Sequence, residues 1–180
     1  GGAPVILPCL PDRTFLEDVL SSLDGFVFVG GKDYPSEYYG QPPSDKLDLM
    51  AEERHKADFM LARLVLRGSM PAIGICAGCQ LINIASGGRL VQHLDSASDH
   101  TGETYHGITI EPDSRLRRIF GADAIEVNSS HHQACDSGGL GFGLRASAFA
   151  PDGVVEAVEA ADDRFLVGVQ WHPERTKHLG

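Results

Sequence analysis

The sequence predicts an α/β fold in which a mostly parallel sheet is flanked by helices and is followed by a β-rich second half. In the first half, short strands that are apolar throughout alternate with helical patterns, as is typical of a parallel sheet covered on both faces. In the second half, strand-like segments are joined by short turns. At 180 residues, the chain is most simply one domain spanning residues 1–180.

The N-terminal part is predicted to contain a strand, a helix and a second strand. Residues 5–7 form a short apolar run closed by a proline, which predicts a strand. Over residues 14–23 the apolar positions recur at helical spacing, with Asp12 or Thr14 as the cap. Residues 25–29 are typical of a fully buried strand, which ends at Gly30-Gly31.

The longest helical pattern lies in the middle of the first half. It covers residues 47–66, and Gly68 is a typical stop signal. Residues 72–75 then form an apolar strand, and residues 80–85 form the helix that follows Cys76.

The second half is predicted to be mainly β-structure. One helix is expected at residues 114–120, with Ser114 as its cap. Five segments are strand-like: residues 107–110, 125–128, 144–149, 154–158 and 165–170.

Composition excludes several function classes. The 15 Lys and Arg residues against 25 Asp and Glu give a net charge of −10 without a basic cluster, so no nucleic-acid partner is expected. No apolar run has the roughly 20 residues of a membrane span, and the start Gly1-Gly2-Ala3-Pro4 does not resemble a signal peptide, so we expect a cytoplasmic protein without a membrane partner. The four cysteines are too few and too scattered for a disulfide scaffold and are expected to be free.

Cys76 lies where an apolar strand turns, on glycines, into a helix. A side chain at such an elbow is held clear of the sheet, and the unpaired amides of the helix N-terminus stabilise nearby negative charge. We therefore expect a nucleophilic thiol that is more acidic than a free one. The backbone amide of Ala77, together with one from Gly30 or Gly31, is placed to form an oxyanion hole.

A second strand ends in His172 and Glu174, two positions apart. Because functional groups gather beyond the carboxyl ends of strands in α/β sheets, the segments at Gly30, Cys76 and His172 are predicted to meet at one edge. His172 would then take the thiol proton, and Glu174 would orient the imidazole.

Each of these features also has a simpler interpretation. A glycine-flanked cysteine, a His-Pro-Glu turn and a Gly-Gly pair all occur as ordinary structural elements, and only their combination favours catalysis. Cys76 and Cys79 form a C-x-x-C pair, which also fits a redox motif. A zinc half-site completed by histidines is a further alternative, with candidates at His93, His100, His106, His131 and His132. Neither alternative accounts for the segment around His172.

Five ordered blocks resemble the class I glutamine amidotransferases, and in particular their γ-glutamyl hydrolase (peptidase C26) branch. They are Phe28-Val29-Gly30-Gly31-Lys32-Asp33 with Tyr39-Gly40; Gly74-Ile75-Cys76-Ala77-Gly78-Cys79-Gln80 with Ile82-Asn83; Val127-Asn128-Ser129-Ser130-His131-His132-Gln133; Ala150-Pro151-Asp152-Gly153-Val154-Val155-Glu156-Ala157-Val158-Glu159; and Gly168-Val169-Gln170-Trp171-His172-Pro173-Glu174.

This resemblance implies a flavodoxin-like fold and a Cys-His-Glu triad of Cys76, His172 and Glu174. It implies attack of the thiolate on a γ-glutamyl amide, release of ammonia or an amine, and hydrolysis of a γ-glutamyl thioester. By the same resemblance Gly30 and Ala77 supply the oxyanion amides. Three residues are expected to bind substrate: Gly31, Gln80 and His131.

The resemblance also defines expectations about the rest of the protein. The substrate is a small γ-glutamyl amide or glutamine, and no cofactor or metal is expected. Ala77 occupies the position where this branch often has arginine, so the sequence does not identify the amine that leaves. The usual N-terminal βα unit and C-terminal helix are expected to be absent from residues 1–180. A homodimer, a synthase partner for a glutaminase, and a non-catalytic binding module of the same fold stay open as alternatives.

Overall fold

The computed structural model describes residues 2–175, and these form one curved sheet with helices packed against it. The sheet contains nine strands, and the main strand order is β1-β2-β9-β8-β7-β4-β5. The strands are β1 (Phe26–Phe28), β2 (Ala72–Ile75), β3 (Leu90–Val91), β4 (Thr104–Ile110), β5 (Ala124–Ser129), β6 (Ala134–Cys135), β7 (Leu144–Phe149), β8 (Val155–Ala160) and β9 (Leu166–Val169). The helices are α1 (Arg13–Leu20), α2 (Glu52–Arg67), α3 (Ala77–Ala85), α4 (Ala97–His100) and α5 (Arg115–Phe120), with 3-10 turns at Ser36–Tyr39 and Pro173–Arg175.

The parallel part of the sheet is limited to three strands. β1 pairs with β2, and β2 pairs with β9, both in parallel. All other strand pairings among residues 2–175 are antiparallel. The expected α/β fold with a β-rich second half is confirmed, whereas parallel pairing is confirmed only for β1, β2 and β9. Short connections in the second half join antiparallel neighbours, as between β4 and β5, β7 and β8, and β8 and β9.

Several helix ends match their sequence signals. The side chain of Asp12 accepts a hydrogen bond from the backbone N–H of Phe15 and caps α1. Ser114 caps α5 in the same way by accepting from Arg117, and α2 ends at Gly68 as predicted. α2 begins at Glu52 rather than at residue 47, because the preceding segment is extended and Leu49 forms a bridge with Asp33.

The strand predicted at residues 5–7 is wrong. Residues 2–12 have no regular secondary structure, and Val5 and Ile6 are 62% and 95% exposed. No strand among residues 2–175 pairs with this segment. An apolar run without a hydrogen-bonded neighbouring strand gains little from an extended conformation. Local apolarity alone therefore does not predict a strand at residues 5–7.

Helix α3 packs against β1, β2 and β9, and α2 packs on α3. This layer buries one apolar cluster that includes Phe28, Leu61 and Ile82. A second cluster, which includes Ile108, Val127 and Trp171, lies among the strands of the second half and α5. The N-terminus of α3 is thereby fixed at the carboxyl end of β2, next to the ends of β1 and β9. No helix within residues 2–175 combines the length and the apolar character needed to cross a bilayer.

Candidate active site

Cys76 forms a strained elbow between β2 and α3. Its backbone has φ 52° and ψ −109°, and a positive φ is uncommon for a residue with a side chain. The Cys76 N–H donates to the carbonyl of Val169 at 2.8 Å, which continues the pairing of β2 with β9 up to the elbow. Such strain is characteristic of sites where a side chain must be presented in one orientation.

Two glycines make this elbow sterically feasible. A Cβ atom on Gly74 would overlap the backbone of Gly78, and a Cβ on Gly78 would overlap the carbonyl of Phe28. The first turn of α3 therefore lies directly on β1 and β2, closer than any side chain permits. Their positions explain why the residues around Cys76 are so rich in glycine.

The environment of the Cys76 thiol differs from the sequence-based expectation. The residue is only 6% exposed, and this burial raises the pKa of Cys76 to about 11. The backbone N–H of Ala77 and the charge of Arg175 act in the opposite direction, but they are weaker. The expectation of a thiol more acidic than a free one is therefore wrong, because desolvation outweighs the effect of the helix N-terminus on the pKa.

His172 is held at both its side chain and its backbone. The Nδ1 atom of its imidazole lies 2.7 Å from Oε1 of Glu174. Its backbone N–H donates to Oδ1 of Asn128, and its carbonyl accepts from Nδ2 of the same side chain, both at 2.8 Å. A carboxylate on Nδ1 leaves Nε2 as the ring nitrogen that is free to exchange a proton with a substrate or thiol.

The three segments predicted to converge do meet. A Cβ atom placed on Gly30 would lie 3.0 Å from Cε1 of His172 and 3.6 Å from Cβ of Cys76. The imidazole and the cysteine therefore flank the same glycine at the carboxyl ends of β1, β2 and β9. Ala77, the first residue of α3, follows directly and is also buried.

A cavity of about 230 Å³ opens beside the thiol. It contains Cys76 and the three residues expected to bind substrate, Gly31, Gln80 and His131. Its wall does not include Gly30, Ala77, His172 or Glu174. The remaining lining residues are Lys32, Asp33, Asp48, Ser130, His132 and Gln133.

Gln80 forms part of a buried amide network. Its Nε2 atom donates to the carbonyl of Gln133 at 3.1 Å and lies 3.2 Å from Oε1 of Gln170. The amide hydrogens of Gln80 are therefore used within the protein, and only its oxygen is left for a ligand. His131 is fixed to the same backbone, because its Nδ1 lies 3.0 Å from the carbonyl of Gln133.

Sequence reasoning missed the charged residues of the cavity. Nε2 of His132 lies 3.0 Å from Oδ2 of Asp33, and Nδ1 of His132 lies 3.0 Å from Nδ1 of His93. At the exposed rim, Lys32 pairs with Asp48 at 2.8 Å. A signal was available, because Lys32 and Asp33 directly follow the Gly30-Gly31 turn and His132 follows His131.

Cys76 and Cys79 are not joined to each other in the structure. All four cysteines are free, and the thiol of Cys79 interacts with the side chain of Cys135. The interaction with Cys135 and burial raise the pKa of Cys79 well above its usual value. Among residues 2–175, the one group whose geometry suits a metal ion consists of His100, His106 and Glu156, without a cysteine.

The family model for Peptidase C26 matches residues 1–174. The glutamine amidotransferase-like protein Rv2859c of Mycobacterium tuberculosis is 39% identical over 184 residues, covering 98% of this chain and 59% of its own length. The gamma-glutamyl-gamma-aminobutyrate hydrolase of Escherichia coli O157:H7 is 30% identical over 189 residues, covering 97% of this chain and 73% of its own length. The chain thus spans less than two thirds of the first relative and about three quarters of the second.

A solved structure shares the fold at low sequence identity. The glutaminase domain of Trypanosoma brucei CTPS with bound acivicin superposes with a TM-score of 0.67 and 17% identity. The match covers 89% of this chain and 67% of that domain. The architecture expected from the sequence, that of the class I glutamine amidotransferases, is therefore confirmed.

Proposed function

Because the chain belongs to the Peptidase C26 family, we propose that it is a cysteine-dependent hydrolase that cleaves the γ-glutamyl amide bond of a small γ-glutamyl conjugate through a γ-glutamyl thioester. The observation that carries this proposal is the meeting of Cys76 and the His172–Glu174 pair around Gly30, beside a cavity that contains the thiol. The names of the relatives support an amide substrate.

In the proposed reaction, Nε2 of His172 takes the proton of the Cys76 thiol as the sulfur attacks the γ-carbonyl carbon. The carbonyl oxygen becomes an oxyanion, to which the backbone amides of Gly30 and Ala77 donate. Collapse of the tetrahedral intermediate breaks the C–N bond, and His172 returns the proton to the leaving amine. Water then attacks the thioester with His172 as the base, releasing glutamate and the thiol.

The raised pKa of Cys76 determines when the thiolate forms. With its pKa raised to about 11, the Cys76 thiol is almost entirely protonated at pH 7. The nucleophile must therefore be generated by proton transfer to His172 during attack rather than stored as an ion pair. Glu174 favours this transfer by stabilising the imidazolium.

The cavity favours a group of amino-acid size. Its volume of about 230 Å³ is below the roughly 300–1,000 Å³ of pockets for drug-sized ligands. We assign Asp33 and Asp48 to the α-ammonium group of the γ-glutamyl moiety and Lys32 to its α-carboxylate. Gly31, Gln80 and His131 would enclose the glutamyl chain near the thiol.

The test is glutamate release from γ-glutamyl amines and from glutamine. We expect the wild type to release glutamate and Cys76→Ala to lose this activity completely, while Cys9→Ala, which removes an exposed cysteine that does not line the cavity, retains it. Undiminished release by Cys76→Ala, or no release by the wild type from any substrate, would overturn the proposal. The second outcome would favour a non-catalytic module.

A glutaminase that supplies ammonia to a synthase is the second candidate. Its support is the similarity to the CTPS glutaminase domain. The two functions differ in the leaving group that they accept. Higher kcat/KM for glutamine than for γ-glutamyl amines would favour the glutaminase, and the opposite order would favour the hydrolase.

A further inference from the structure

Three histidines surround a buried glutamate next to the proposed active site. Glu156, on β8, is 0% exposed. Three imidazole nitrogens approach its Oε1 atom: Nδ1 of His100 at 3.3 Å, Nε2 of His106 at 3.5 Å and Nε2 of His131 at 3.5 Å. The histidines come from the end of α4, from β4 and from the loop after β5, so four separate parts of the chain meet at this point.

The hydrogen bonds of the three rings determine which nitrogen carries the proton. In each ring, the nitrogen that faces away from Glu156 contacts an oxygen that can only accept a hydrogen bond. Nε2 of His100 lies 2.9 Å from the Asp152 carboxylate. Nδ1 of His106 lies 3.3 Å from the Gly107 carbonyl, and Nδ1 of His131 lies 3.0 Å from the Gln133 carbonyl. That nitrogen must therefore be the N–H donor. In the neutral imidazoles, the nitrogens facing Glu156 carry lone pairs.

The atoms at the centre of this cluster have no hydrogen-bond partner. Both carboxylate oxygens of Glu156, Nε2 of His106 and Nε2 of His131 are buried and unsatisfied. The nearby hydroxyl of Ser129 lies 3.1 Å from the carbonyl of His100 and 3.4 Å from its Nδ1, so its single proton is used on the carbonyl. Three lone pairs facing a buried carboxylate are unfavourable unless additional protons on the imidazoles or a metal cation lie between them.

We propose that His100, His106, His131 and Glu156 bind a divalent transition-metal cation, of which Zn²⁺ fits best. Nitrogen and carboxylate ligands at about 2.0–2.1 Å in a tetrahedral zinc site are separated by roughly 3.4 Å, close to the separations from Oε1. The ligand atoms of His100, His106 and Glu156 already lie within 4.8 Å of one another. Three imidazoles favour zinc over magnesium or calcium, which prefer oxygen ligands.

The surroundings are those of a metal site rather than of a chance cluster. Metal-binding histidines typically donate their other N–H to a carboxylate or backbone carbonyl, as all three do here. His106 is 16% exposed at its side chain, whereas His100 and His131 are 2% exposed, so a cation can enter from the side of His106. His131 lies outside the three residues whose ligand atoms are mutually within 4.8 Å, so its Nε2 must shift toward them to bind as the fourth ligand. With four protein ligands the cation has no open position, which indicates a structural role.

This cation would connect the proposed active site to the antiparallel part of the sheet. His131 both lines the cavity with Cys76 and faces Glu156. Metal binding would therefore hold one cavity wall in place while joining β4, β8 and α4. The proposal does not depend on the enzymatic reaction, and its test needs no activity measurement.

The test uses untagged protein, stripped with a chelator and titrated with Zn²⁺ and Co²⁺. We expect one Zn²⁺ per chain, a higher melting temperature, and the visible absorption of tetrahedral Co²⁺ without a thiolate-to-cobalt charge-transfer band. His106→Gln and Glu156→Gln should each bind Zn²⁺ at least 100-fold more weakly. His55→Gln is the matched control, because His55 is a buried histidine whose Nδ1 contacts the Tyr38 hydroxyl outside the cluster.

Three outcomes would overturn the proposal. The first is that the wild type binds no Zn²⁺ and does not gain thermal stability, which would mean that the cluster is neutralised by protons alone. The second is equal Zn²⁺ affinity in wild type and His106→Gln. The third is a thiolate band with Co²⁺, which would place the metal on a cysteine. If Glu156→Gln does not fold, the Zn²⁺ affinity of His106→Gln, a substitution at a partly exposed position, and the Co²⁺ spectrum still test whether the cluster binds metal.

Discussion

The side chain of Asn128 forms two hydrogen bonds with the backbone of His172, one to its N–H and one to its carbonyl, both at 2.8 Å. Asn128 lies on β5, at the far edge of the sheet from β1, and is itself buried. The antiparallel half of the sheet therefore fixes the residue that is proposed to act as the base. Asn128 is a positioning residue, since its side chain binds the backbone of His172 and does not line the cavity.

Replacing Asn128 should reduce turnover and stability together. Asn128→Ala leaves a buried N–H and a buried carbonyl of His172 unpaired, which we expect to cost about 2–4 kcal/mol in the free energy of unfolding. Glutamate release should fall mainly through kcat, with little change in KM. Asn128→Asp keeps the acceptor for the His172 N–H and should be intermediate; equal kcat in all three proteins would contradict the positioning role.

Gly30→Ala should impair catalysis more than folding. The added methyl group would lie 3.0 Å from Cε1 of His172, so the imidazole must move by a few tenths of an ångström or more. Misplacement of a reacting group by about 1 Å can cost on the order of 100-fold in rate, and we expect a loss approaching this in kcat. The melting temperature should change little, because the clash involves a side chain that can shift.

The control for Gly30→Ala is Gly107→Ala, whose Cβ would contact nothing within 4 Å. This variant should retain both kcat and melting temperature. A Gly30→Ala protein with wild-type kcat would show that the imidazole is not confined by this glycine.

Gly78→Ala, in contrast to Gly30→Ala, should mainly reduce the stability of the fold. Its Cβ would overlap the carbonyl of Phe28 and lie 2.7 Å from the carbonyl carbon, and backbone cannot move aside as a side chain can. We expect a loss of about 3 kcal/mol in the free energy of unfolding, although alanine is normally the better helix former. Urea denaturation against Gly107→Ala would measure this, and a stabilised Gly78→Ala would contradict the close packing of α3 on β1.

Much of the fold could be predicted because its signals are local. The caps Asp12 and Ser114, the stop at Gly68 and the strand Ala72–Ile75 each depend on a few neighbouring residues. The two-residue strands β3 and β6 were missed because such short segments have no periodicity.

The parts of the site that could not be predicted depend on tertiary contacts. The pKa of Cys76 is set by burial, which a strand-to-helix motif does not reveal. Likewise, the cluster around Glu156 joins residues from four parts of the chain. Its three histidines were among the candidate zinc ligands in the sequence, but they were considered as partners of the cysteines and not of Glu156. The signal for Glu156 is its place, with Glu159, in a strand that is otherwise only valine and alanine, and both carboxylates are buried.

Alkylation of the Cys76 thiol should require unusually high pH. Burial raises the pKa of Cys76 to about 11, with smaller contributions from the Ala77 amide and Arg175, which lower it, and from Glu174 and Asp33, which raise it. In a Cys9→Ala background, the rate of iodoacetamide labelling at Cys76, followed by mass spectrometry, should therefore still be rising well above pH 9. A labelling midpoint at or below pH 8 would contradict the buried, protonated thiol.

The same raised pKa determines the sign of a stability effect. An unfolded chain loses this proton near pH 9, the ordinary value, whereas the folded protein retains it up to about pH 11. The free energy of unfolding should therefore be unaffected by this group below pH 9 and should decrease between pH 9 and 11. Cys76→Ser removes this contribution, so its stability should decline less than that of the wild type over that interval, as measured by urea denaturation at each pH.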